Sequence, residues 1–240
     1  MKKINNLIIV IVIVIVLFIG TIFVLINRNT GELPQTGHFQ IIDEIDQIIL
    51  NQNIEDMENK IMPEALEFYN SEVLKLENLI SITNDEMIRR DYFNDIAKYL
   101  NNLGRYEEAY KYYLMSLDIS YIQRLTWINL ADLLVKMKAY KSAEVAYLKA
   151  NDINAFAEEN YIKLAKLYIL LNYNIDDIIE IYDKGISIMQ KPKLILDEKA
   201  KFLEANDMLE DAINTYEKLL DVIDNKEWVQ SKIDKLNLEI

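Results

Sequence analysis

The chain has 240 residues, five glycines, three prolines, no cysteine and a formal net charge of −13. The missing cysteine excludes disulfides, thiol catalysis and thiolate-held zinc, and the acidity disfavours nucleic-acid partners through repulsion of phosphate backbones. About half the residues are apolar while turn-forming residues are scarce, which points to long helices with short connections rather than a sandwich or barrel.

Residues 1–6 are a short polar start containing Lys2 and Lys3. Leu7 to Ile26 is apolar throughout apart from Gly20 and Thr21. Twenty helical residues span roughly 30 Å, the thickness of a bilayer's hydrocarbon core. The rival reading, a cleaved signal peptide, would have a shorter apolar region ending in small residues, whereas here Phe23-Val24-Leu25-Ile26 runs straight into Asn27 and Arg28. The expectation is a single transmembrane signal anchor over 7–26. Lys2 and Lys3 outweigh Arg28, which keeps the amino terminus cytoplasmic and places the body in the extracytoplasmic space at the cell membrane.

Residues 27–38 form a polar linker. Leu33-Pro34-Gln35-Thr36-Gly37 is similar to the motif that sortases cut, but in that family an apolar segment and a basic tail follow the motif. Here it comes after the apolar run, and a turn-forming linker explains it better. Residues 39–82 show helical spacing in two stretches, with Pro63 suited to the first turn of the second. They are expected to form a divergent helical hairpin that caps the body at its membrane end, or a degenerate repeat. Thr83 or Asn84 can cap the helix that follows, with Asp85 and Glu86 in its first turn.

From there a signature recurs about every 34 residues. Ala109 is followed by Ala143, Ile178 and Ala212. A tyrosine follows at Tyr113, Tyr147, Tyr182 and Tyr216, then Ser116, Ala150, Gly185 and Leu219. Each unit also opens with a second apolar face: Phe93-Ile96-Ala97-Leu100, Trp127-Leu130-Ala131-Leu134, Tyr161-Leu164-Ala165-Tyr168, and Leu196-Ala200-Leu203. The units are two helices each, A then B, over 90–123, 124–157, 158–192 and 193–226. Gly104 makes the first A–B turn, and the third turn is one residue longer, around Asn172 to Asn174. Residues 227–240 read as a capping helix with Trp228, Ile233 and Leu236 on its apolar face.

Period, paired helices and the Trp127-x2-Leu130-Ala131 spacing resemble the tetratricopeptide-repeat family from about Arg90 to Lys226. The resemblance implies an all-α, right-handed α-solenoid, here preceded by the transmembrane helix. It also implies that side chains on helix A line a concave groove for peptides. Carried over, the groove residues are Asn94, Lys98, Leu125, Ile128, Asn129, Asp132, Ile162, Lys166, Ile169 and Lys201. Leu125, Ile128, Ile162 and Ile169 would form an apolar strip bordered by Lys98, Lys166 and Lys201. The alternative is a groove covered by the chain's own helices, leaving a structural, self-associating array.

No catalytic constellation is visible. His38 is the single histidine and lies in the linker, and no phosphate-binding loop, histidine-based metal motif or calcium loop occurs. Glu158-Glu159 and Asp176-Asp177 stand where helices begin, which suits the helix dipole. The expectation is a scaffold that binds other proteins beside the membrane, with no enzymatic activity and no cofactor.

Overall fold

The computed structural model describes residues 62–240. The expected cytoplasmic start, anchor, linker and first stretch of the hairpin all lie outside the described residues. Among the described residues, no helix is long and apolar enough to cross a membrane.

Ten helices follow one another in the described part. They are α1 (Pro63–Ile82), α2 (Glu86–Asn102), α3 (Tyr106–Ile119), α4 (Arg124–Lys136), α5 (Tyr140–Ile153), α6 (Glu158–Leu170), α7 (Ile175–Ile188), α8 (Lys193–Ala205), α9 (Leu209–Leu220) and α10 (Glu227–Leu236). Short connections make consecutive helices antiparallel neighbours. The pairs α2/α3, α4/α5, α6/α7 and α8/α9 pack as four hairpins; α1 packs on α2 and α10 on α9. Helices A also meet each other, α2 against α4 and α6 against α8.

The four A–B turns share one device. Gly104, Lys138, Asn172 and Asp207 all have positive φ (76°, 62°, 53° and 58°). In the first turn Gly104 N–H donates to the Asn101 carbonyl and Arg105 N–H to the Leu100 carbonyl. The other three repeat this pattern, in which a left-handed residue closes the helix and satisfies its last carbonyls. The third turn carries the expected extra residue. Tyr173 stacks on Tyr168 with ring centroids 4.3 Å apart, and Asn174 caps α7 by accepting from Asp177 N–H.

The repeat signature is the core. Ala109, Ala143, Ile178 and Ala212 are buried, as are the four tyrosines and the four residues three positions beyond them. Small side chains let helices approach closely, and the tyrosine rings fill the space beside them. Gly185 shows how close: a Cβ there would lie 2.4 Å from Ile195 Cδ1 and 2.8 Å from Tyr161 Cγ. The buried side chains fall into three clusters. One runs from Val73 to Leu167, one surrounds Tyr161, Tyr182 and Ile195, and one runs from Leu196 to Leu236.

Two local expectations are corrected. Asp85, not Thr83 or Asn84, is the N-cap of α2, its carboxylate accepting from Met87 and Ile88 N–H. A carboxylate is at least as good a cap acceptor and gains from the helix dipole besides. On α10, Ile233 and Leu236 are buried with Val229, but Trp228, in the first turn, is exposed.

Candidate functional site: the concave face

Helices A place the same positions of successive repeats side by side. The floor of this face therefore consists of residues the packing does not need, while its sides are set by A–A contacts. Thr126 Oγ1 donates to Asn94 Oδ1 across the α2/α4 contact at 3.2 Å. The buried Asn160 accepts from Arg124 Nη1 at 2.9 Å and donates to the Asn154 carbonyl.

The expected groove residues separate into three groups. Leu125 (58 % exposed) and Ile169 (40 %) stand open to solvent, and Ile162 is half-buried. Ile128 is 2 % exposed and belongs to the core, which corrects its placement on the apolar strip. The reason is that Arg124 and Asp132, one turn either side of it on α4, both bond α6, so Ile128 lies on the flank closed over by the next helix A. Asn94, Asn129 and Asp132 are half-buried.

Each lysine of the expected border has an acidic partner. Lys98 pairs with Asp95 at 2.9 Å, Lys166 with Glu198 at 2.8 Å, and Lys201 with Asp197 at 2.7 Å. Lys163 pairs with Asp132 at 2.6 Å, and Asp132 also accepts from the Tyr147 hydroxyl at 2.6 Å. Burial and this carboxylate together raise the Tyr147 pKa well above the usual range. Lys136 donates to Asn101 at 2.8 Å. Pairs this exposed add little stability.

One cleft gathers what remains. It has a volume of about 430 Å³ and lies between α6 and α8 at the third A–B turn. Lys166, Ile169 and Lys201 line it, three of the expected residues, together with Tyr173, Phe202 and Ala205. The ring of Tyr173 and the apolar side chains give it an apolar floor, and Lys166–Glu198 crosses it. Tyr173 escaped the sequence reading because it belongs to the inserted turn, outside the repeat register. Two other clefts lie off this face. One of about 310 Å³ runs between α5 and α7, and a polar one of about 930 Å³ between α7 and α10. Among the described residues no group of three or more His, Cys, Asp or Glu could hold a metal ion.

Glu158 does more than favour a helix dipole. Its carboxylate accepts from Ile195 N–H at 2.8 Å and so caps α8, the next helix A, from the repeat before it. Nothing in the local sequence signals this, because the partners are 37 residues apart.

The fold has counterparts among solved structures. A structure of MamA aligns with 75 % of this chain and 99 % of its own length at a TM-score of 0.53 and 16 % identity. A second MamA structure covers 79 % of this chain and 95 % of its own at 0.52 and 17 % identity. TTC0263, a thermophilic TPR protein in Thermus thermophilus, covers 80 % and 99 % at 0.49 and 14 % identity. At these identities the likeness is one of fold. No family model matches the sequence, and no curated protein is found as a relative.

Proposed function

We propose that this tetratricopeptide-repeat array is the body of a membrane-anchored scaffold that binds partner proteins through its concave helix A face, in the assembly or recruitment of cell-envelope components. The cleft between α6 and α8 carries the reading, because Ile169 and Phe202 both line it, with Lys166 and Lys201 at its border each beside an acidic partner. An apolar floor held by rigid helices is what an amphipathic helix or extended segment needs for its anchor side chains. The apolar run at 7–26 supports the membrane part, and Lys2 and Lys3 support an extracytoplasmic body. The covered-groove alternative is less favoured, since α10 packs on α9 and leaves Leu125, Ile169 and Leu170 exposed.

The test is Ile169→Asp in the full-length protein, with capture of partners from the native membrane. Ile169 is exposed, so thermal stability should stay within about 0.5 kcal/mol of the parent. Capture should fall about tenfold or more, as loss of a buried anchor costs over roughly 1.4 kcal/mol. Unchanged capture by a folded variant would refute the concave-face reading.

A further inference from the structure

The alternation of antiparallel helices sends the A–B turns to one end of the array and every connection into a new helix A to the other. That second end also receives the connections from α1 to α2 and from α9 to α10. Each of these five connections carries a large apolar side chain in the open, within two residues of the connection. They are Ile82 (75 % exposed), Ile122 (60 %), Phe156 (73 %), Leu194 (61 %) and Trp228 (46 %). A single exposed apolar residue is ordinary, but five successive ones along one edge are a patterned surface. Tyr121, also exposed, adds an aromatic side chain beside Ile122.

The occupant follows from shape, charge and tether. None of the five residues lines any of the three clefts described above. They protrude singly from a rigid array, which suits a fluid interface that needs no complementary relief. Aromatic and aliphatic side chains at such tips partition into the headgroup–acyl boundary of a bilayer. The connections carry both signs, Asp85, Asp152 and Asp224 alongside Lys149, Lys191, Lys193 and Lys226, with Asp152 paired to Lys149 and Asp224 to Lys193, so no basic patch attracts anionic headgroups and the fitting surface is a zwitterionic one. The chain between the apolar run and the array, residues 27–61, reaches at most about 120 Å even fully extended. Anchoring therefore makes the second contact intramolecular, and a shallow insertion suffices.

We infer that the edge formed by the helix B-to-helix A connections rests on the lipid surface, dipping Ile82, Ile122, Phe156, Leu194 and Trp228 into the interface and leaving the A–B turns in water. This rests on the membrane-anchored reading above. It orients the array, with the concave face opening sideways along the membrane.

The absence of native cysteine makes a direct test possible. Full-length protein carrying Phe156→Cys, and separately Ile122→Cys, is labelled with an environment-sensitive fluorophore in phosphatidylcholine vesicles. Lys138→Cys, in a turn at the opposite end, is the reference. The expected result is a blue-shifted emission at 156 and 122, quenched by spin labels on shallow lipid carbons, with an aqueous, unquenched label at 138. Aqueous emission at 156 and 122 in vesicle-bound protein would overturn the edge contact while leaving anchoring intact. A blue shift that lipid-borne quenchers do not touch would mean a second copy covers the edge, which overturns it too. Failure of the protein to float with the vesicles would refute the anchor, and this inference with it.

Discussion

At Gly185 three helices come so near that a side chain has no room. A methyl group there would sit inside the van der Waals shells of Ile195 and of the Tyr161 ring. Gly185→Ala should gain helix propensity but lose more through displacement of that ring and of Ile195, a net cost of about 1–3 kcal/mol. Urea unfolding of the variant measures it, and an unchanged midpoint would mean the three helices can spread freely. Lys138 presents the converse case. Its φ of 62° is a conformation that side chains with a Cβ resist, and its equivalent in the first repeat is Gly104. Lys138→Gly should raise stability by up to about 1 kcal/mol, less the extra freedom glycine gives the unfolded chain. Thermal melting reads the sign directly.

The helices themselves were largely legible in the sequence, because the tyrosine and small-residue positions return at a fixed period and need no knowledge of their neighbours. What stayed hidden depends on partners far along the chain. The burial of Ile128 is set by α6 lying beside its flank of α4, and the pairing of Lys166 by Glu198 on the next helix A. Trp228 reads as core by residue type alone, yet it stands exposed in the first turn of its helix. At this scale two measurements bear on the packing. Ala143 is fully buried in α5, so Ala143→Leu should overpack its helix contact by about 1–3 kcal/mol, and the loss should spread to adjacent repeats. Hydrogen exchange of α4 through α7 would show that spread, whereas an unchanged pattern would place residue 143 at a looser contact. Burial also raises the pKa of Tyr113, Tyr147, Tyr182 and Tyr216 above the ordinary tyrosine value of about 10. A raised folded pKa for a group that must ionise means stability is fully present below about pH 10 and lost as pH climbs toward the folded values. The array should therefore hold its stability through neutral pH and unfold steeply at alkaline pH. In Tyr182→Phe that alkaline limb should be shallower.

Across the whole molecule, three core clusters run in series, and the third repeat joins them. Its A helix contributes to the first cluster through Leu164 and Leu167, and Tyr161 and Ala165 of the same helix sit in the middle one. The inserted Tyr173-Asn174 turn and the concave cleft also belong to this repeat. The place where the array departs from its own register is thus where its open apolar floor lies, a juxtaposition that supports a binding role for that floor. The decisive measurement is site-specific photocrosslinking in the native membrane, with the crosslinker at position 169 on the concave face and, separately, at position 180 on exposed Glu180 of α7, which lines the cleft off that face. Discrete protein adducts from position 169, suppressed in a Lys201→Glu background and missing from position 180, are the expected result. Equal adducts from both positions, or adducts from position 180 alone, would contradict a concave binding face.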